Sequence, residues 1–318
     1  MENTYNIQMR IKEIQNEKKR TDKLYKLSLI MFIPIIPLFF IGAFLEEPFL
    51  LKIACALFVI DPVFLICICF RIGKQDEELA SLFVKNEGIE SVLNRYCQVE
   101  RFDPNDSLDN GDRKLLKSFG FFAAPVGRNY LKGMMNDIPI ETSYIRLHVD
   151  DLDNSAGSYY EFNGQIAYLR NSKSFPGKLL ITRDNTPGSG FDFKDFAYEA
   201  VIKRILGTSK SDRKLPDIRN PINISREFDT QWRVFTSNPD AAMLMLYKNT
   251  DLYKRLLEAR NLSFVLYRED EILLGGQYSF DLLKGTSEER RASCEQAMDG
   301  LFNEAIAAAL SAEYPAVE

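Results

Sequence analysis

Histidine is nearly missing. His148 is the one histidine in 318 residues. One imidazole rules out metal sites that need two, and it leaves histidine acid–base chemistry a single place to sit. Cysteine is sparse as well: Cys55, Cys67, Cys69, Cys97 and Cys294 are odd in number and fit neither a disulfide framework nor a zinc spacing. Three of them lie in an apolar stretch, where small side chains suit a membrane span. There is no basic excess: 40 lysines and arginines against 45 acids leave a net charge of −5, which argues against nucleic-acid binding. No G-x-S-x-G elbow is present, and "GSG" at 188–190 lacks the Lys-Ser/Thr of a phosphate loop. Asp150, Asp151 and Asp153 follow His148 and read as a solvated acidic turn. The sequence therefore suggests no catalytic residue, no cofactor and no metal site.

What the chain does have is a dense apolar stretch at residues 27–70. Leu27 to Leu45 is nineteen residues without a charge, about 28 Å of helix and close to the thickness of a bilayer's hydrocarbon. The 26 residues before it, and the lack of a small-x-small cleavage site after it, disfavour a signal peptide. A second apolar run covers 49–70, with only "EEP" between the two. So short a connection implies an antiparallel transmembrane hairpin. Arg10, Lys12, Lys18, Lys19, Arg20, Lys23 and Lys26 precede the first run, and Arg71 and Lys74 follow the second. By the positive-inside rule both termini are cytoplasmic and the protein is a multi-pass protein of the inner (plasma) membrane.

Asp61 interrupts the second span and is followed by Pro62. An acid at mid-span costs about 2.5–3.5 kcal/mol on insertion scales, so it needs a partner or a task. Counting equal depth into the first span reaches Ile36, between Pro34 and Pro37. Prolines at these positions free the carbonyls of Ile30 and Ile33. A neutral carboxyl donates one hydrogen bond, so the expectation is that Asp61 donates to one of them and pins the hairpin, with Asp61, Pro62, Pro34 and Pro37 forming an intramembrane polar contact. Asp-Pro is also a helix-start signal, which would restart the second span at Asp61. The functional alternative is an ion path through Asp61.

Helices are expected on either side of the hairpin. Residues 1–26 carry Ile7, Ile11 and Ile14 as one apolar stripe on a charged helix. Residues 71–97 form a stalk with Leu79, Leu82, Phe83, Val92, Leu93 and Tyr96 on one face and Gly88 as an interruption. The first helix is basic and the second acidic, so pairing is favoured over adsorption of the first helix to anionic lipid.

Residues 98–318 read as a cytoplasmic α+β domain with a mixed, mainly antiparallel sheet and packed helices. Residues 101–113 are a polar loop or linker. Strands are expected at 140–149, 158–170 and 177–184, forming a meander, then a helix in "DFKDFAYEAVIKRIL" and a strand across "NISREFDTQWRVFTSN". "GTSKSDRKLPDIRNP" reads as a solvated loop. Asn238-Pro239 opens one helix through Arg260, "LSFVLYRED" and "EILLGGQYSF" form a hairpin about an acidic turn, and Thr286 or Ser287 caps a final long helix.

The two spans, "LLKSFGFF" (115–122), "REFDTQWRVFTSNPDAAMLML" (226–246) and "LSFVLYREDEILLGG" resemble a bacterial two-span membrane family known as a domain of unknown function, some of whose members look like neighbours of LemA-type proteins. The resemblance implies an envelope assembly and no catalytic residue. The functional expectation is a membrane-anchored scaffold or regulatory subunit, in contact with membrane lipids and a protein partner or further copies of itself. The alternative is a subunit of a transport or channel complex that uses Asp61.

Overall fold

The computed structural model describes residues 2–44, 48–108, 126–149, 160–183, 222–247 and 250–313. The chain divides into two compact units, Met1–Glu87 and Gly88–Glu318.

The first unit is helical. α1 (Glu2–Phe32) runs without interruption from the charged segment into the apolar one. It breaks at Ile33–Pro34, because proline has no amide to continue the ladder. α2 (Ile35–Phe44) follows, and α3 (Pro48–Asn86) is one helix through the second apolar run and the acidic segment after it. Pro62 lies inside α3, so the helix is not restarted at Asp61. Two helical stretches, Asn6–Ile41 and Lys52–Asn86, are long and apolar enough to cross a membrane.

α1 and α3 run antiparallel, as the pairings Arg10–Glu78, Lys18–Asp76, Glu17–Arg71 and Ser28–Asp61 require. The seam between them follows a seven-residue repeat. On α1, Ile7, Ile11, Ile14, Lys18, Thr21, Tyr25 and Ser28 alternate in steps of four and three, and each is buried or half-buried. On α3, Asp61, Leu65, Ile68, Ile72, Gln75, Leu79 and Leu82 do the same. This is the spacing of paired helices that supercoil left-handedly. The register that joins Ser28 to Asp61 sets Ile35 level with Ala54, Thr21 with Ile68 and Ile14 with Gln75, and all of these except Asp61 are buried.

The second unit is α+β, and every strand pairing described in it is antiparallel. Gly88, at φ 68°, ends the preceding helix and turns the chain into α4 (Ile89–Leu93). The strands are β1 (Gln98–Asp103), β2 (Val126–Met135), β3 (Ile138–Val149), β4 (Tyr160–Arg183), β5 (Trp232–Thr236) and β6 (Leu262–Gly276). β1 takes up part of the stretch read as a linker. β6 does not run straight. A straight strand of its length would part its ends by about 50 Å, yet the Gln277 amide donates to the Asn261 carbonyl at 2.8 Å. β6 therefore doubles back, at the acidic stretch where Glu269 takes φ 53°.

β4 wraps around that doubled strand. Residues 165–170 of β4 pair with 271–276, and residues 178–182 pair with 264–268. Phe175, fully buried, lies opposite Glu269 where β4 passes the tip. Gly177 at φ 118° makes this passage possible, since a Cβ there would stand 2.5 Å from the Ser237 hydroxyl. The expected meander of 140–149, 158–170 and 177–184 is thus corrected. The first two pair, but the third is separated from them by strand β6 from much later in the chain.

Helices pack around this sheet. The "NISREFDTQWRVFTSN" segment, expected as one strand, opens with a helical turn, α5 (Arg226–Asp229), capped by Ser225. The expected single helix after Asn238-Pro239 is two, α6 (Pro239–Met245) and α7 (Asp251–Glu258), because Thr250 caps a second start. α8 (Ser287–Asp299) begins with a capping box: Thr286 accepts from the Glu289 amide, and the Glu289 carboxylate accepts from the Thr286 amide. α8 then continues into a π-helix (Gly300–Ile306) and α9 (Ala307–Leu310). Gly300 sits at the π-helix because the Tyr278 ring occupies the place of a Cβ, 2.8 Å away.

Candidate functional site

The most chemically unusual position in the first unit is the polar layer at Ser28 and Asp61. The Ser28 hydroxyl donates to Asp61 Oδ1 at 2.5 Å. Asp61 Oδ2 is buried and, among the described residues, has no hydrogen-bond partner. Above and below this layer the outward faces of both helices are apolar and exposed, with Ile30, Phe40, Phe49, Phe58 and Phe70 each more than half exposed. An arrangement with polar groups inside and apolar groups outside inverts a soluble helix pair and suits hydrocarbon surroundings.

The hydrogen-bond partner of Asp61 differs from the expected one. Asp61 meets Ser28, not the Ile30 or Ile33 carbonyl, and the Ile30 carbonyl accepts instead from the Ile33 amide at 3.3 Å. Pro62 is half-buried next to Asp61, while Pro34 and Pro37 are both exposed, Pro34 in the break and Pro37 within α2. Depth counted from the span ends misplaced the partner. The register is set by the seam, which extends beyond the apolar runs into the charged segments. Ser28 was findable, because it continues the stripe that Ile7, Ile11 and Ile14 begin.

Ion pairs continue the seam where the helices become charged. Lys18 pairs with Asp76, Arg10 with Glu78 at 2.9 Å, and Arg71 with Glu17 at 3.7 Å, while Gln75 donates to Glu17 at 3.4 Å. Exposed pairs of this kind contribute about 0–1 kcal/mol each, so they act on register more than on stability. Hydrogen bonding to Glu78, reinforced by its charge, raises the Arg10 pKa.

In the second unit, polar groups gather where β6 turns back. Glu271 accepts from the Tyr168 hydroxyl at 2.8 Å and from Arg268 at 2.9 Å, while Arg170 donates to Tyr168 at 2.9 Å. Burial alone would raise the Glu271 pKa, but the hydrogen bonds from Arg268 and Tyr168 and the charges of Arg268 and Arg170 outweigh it and hold the carboxyl below its usual range. Arg183 lies over the Trp232 ring at 4.8 Å and donates to the carbonyls of Leu262 and Ala259, tying the end of β4 to the end of α7. Both clusters brace strands and helix ends, and neither presents a nucleophile beside a base.

His148 falls on β3 opposite Glu161. Asp150, Asp151 and Asp153, the "GSG" at 188–190, the expected helix after residue 190, the basic loop after Leu206 and "LLKSFGFF" lie outside the described residues. Among the described residues, no group of three or more His, Cys, Asp or Glu side chains is placed to hold a metal ion. Cys97 and Cys294 are buried, and burial pushes their thiols up to about 11 and about 12.

No protein-family model matches the chain, and no curated protein matches it. Among solved structures, the mycobacterial trehalose monomycolate transport factor A, TtfA, aligns over 70% of this chain and 94% of its own at 10% identity, with a TM-score of 0.30. Similarity of that degree carries no inference about fold or activity.

Proposed function

We propose that this chain is a membrane-anchored scaffold or regulatory subunit of a bacterial inner membrane, and that it belongs with the two-span family it resembles. α1–α2 and α3 cross the bilayer as an antiparallel pair, both termini are cytoplasmic, and the α+β unit is presented to a protein partner or to further copies of the chain. One observation supports this above the rest. A single seven-residue seam runs from the ion-paired segments into the apolar ones, which makes the anchor and its charged extension one stiff element. The lysines and arginines before the first apolar run and Arg71 and Lys74 after the second lie at the same end of the pair, as the positive-inside rule asks of a hairpin with both ends in the cytoplasm.

A second reading is favoured by one detail, the buried Asp61 Oδ2 without a partner among the described residues. It makes the chain a subunit of a transport or channel complex with Asp61 on the path. Isolation of the full-length chain in mild detergent, followed by mass spectrometry, separates the two. The scaffold reading expects partner chains in fixed ratio and no ion flux when the chain alone is reconstituted in liposomes. A chain that purifies alone and passes protons or cations would replace it with the second reading.

A further inference from the structure

α1 carries a second stripe, on the side away from α3. At about 100° per residue, Lys12, Lys19, Lys23, Lys26 and Ile30 fall within about 60° of one another, opposite Thr21 on the seam. All five are exposed. Arg10 and Lys18, nearer the seam, are paired with Glu78 and Asp76, but none of the four stripe lysines has an acidic partner among the described residues. Among the nearby acids of α1, Glu13 pairs with Arg10 and Glu17 with Arg71, while Asp22, half-buried and about 40° around the helix from Lys26, borders the stripe without an ion pair to any of its lysines among the described residues. Four cations thus share a face that has one acid, Asp22, at its edge and so keeps a net positive charge, and that face continues directly into exposed apolar side chains, Leu27 and Ile30.

We propose that the Lys19–Lys23–Lys26 face of α1 is a binding site for an anionic phospholipid, whose phosphate sits on the lysines and whose acyl chain lies along Leu27 and Ile30. This rests on the membrane-spanning reading above. With Leu27 at the start of the hydrocarbon, Lys26 and Lys23 lie about 1.5 and 6 Å below it along the axis, inside a headgroup layer about 5–7 Å deep. Helical side chains lean toward the N-terminus, which here carries the ammonium groups out of the hydrocarbon and toward the phosphates. Lys19 is about 12 Å below Leu27, close enough to add attraction within a screening length of about 8–10 Å. Lys12, at about 22 Å, is out of range. An acidic helix of a partner protein would use the whole stripe, Lys12 included. The apolar continuation at Leu27 and Ile30 favours the lipid.

The test is native mass spectrometry of the full-length chain, released from micelles containing equal amounts of phosphatidylglycerol and phosphatidylcholine. Each lysine near the surface is worth about fivefold in affinity for an anionic lipid. The wild-type chain is expected to keep phosphatidylglycerol at least about fivefold over phosphatidylcholine. The triple variant Lys19→Gln, Lys23→Gln, Lys26→Gln is expected to keep the two alike, while Lys12→Gln and Lys52→Gln retain the preference. Equal retention by the wild type, or a preference that survives in the triple variant, overturns the site. So does a triple variant that sheds a co-purified acidic protein with lipid preference unchanged, since the face would then belong to that protein. Extraction of the chain from membranes by alkaline carbonate would sink the spanning reading itself. A chain that stays in the membrane but shows no preference sinks only the lipid site.

Discussion

Removing the Ser28 hydroxyl is expected to weaken the helix pair more than removing the acid it serves. In Ser28→Ala, Asp61 loses the 2.5 Å bond at Oδ1, and Oδ2 already has no partner among the described residues. A buried polar group left unsatisfied costs about 1–3 kcal/mol, so the variant should lose stability in that range. Asp61→Leu also breaks the bond, but it takes away the acid whose insertion costs about 2.5–3.5 kcal/mol. The surviving Ser28 hydroxyl can turn to the carbonyl four residues earlier. Asp61→Leu is therefore expected to be neutral or stabilising, and Asp61→Asn, which keeps an acceptor, to lose less than Ser28→Ala. The double variant should show a coupling of about 0.6–1.7 kcal/mol, the range for hydrogen bonds between membrane helices. Titration of the full chain from mild detergent into dodecyl sulfate, followed by far-ultraviolet circular dichroism, measures all four. Ser28→Ala as stable as wild type, or additivity within about 0.3 kcal/mol, would refute the polar layer as a contact that holds the pair.

Three further outcomes follow from the second unit. Gly300→Ala places a methyl 2.8 Å from the Tyr278 ring. Overpacking of this kind costs about 1–3 kcal/mol, read as a fall in Tm of about 2–4 °C per kcal/mol. Glu271, held below the ordinary value of 4.5, contributes its stabilisation fully above that pH and loses it as the pH falls through the folded-state value. Denaturant midpoints between pH 6 and 3 should therefore fall more steeply for the wild type than for Glu271→Gln, and equal slopes would contradict the network. Cys97 and Cys294, buried with raised pKa, should resist maleimide in the folded chain and react only on unfolding, as peptide mapping can check.

Much of the local structure was legible because it is written in short-range chemistry. Asn238 and Thr286 cap helices as their side chains dictate, Gly88 interrupts where a positive φ is needed, and the acidic stretch at Glu269 turns β6 back. What escaped depends on long-range pairing. β2 is not legible in the sequence because "VGRNYLKGMM" alternates poorly and carries Asn129 at φ 58°. The insertion of β6 between the two arms of β4 cannot be read from neighbouring residues, since a meander satisfies the same local pattern. The polar layer is half legible. Asp61 stands out by cost, while Ser28 keeps the 4-3 spacing of Ile7, Ile11 and Ile14 but is reached only by following that spacing through Lys18, where the stripe stops being apolar.

In the proposed arrangement the two apolar helices cross a bilayer with the α+β unit on the inner side. Spheroplasts expressing the full-length chain, treated with protease from outside and then again after permeabilisation, test this directly. The region beyond residue 100 is expected to stay intact in the first treatment and to be cut in the second. Cleavage of that region in sealed spheroplasts would contradict this arrangement.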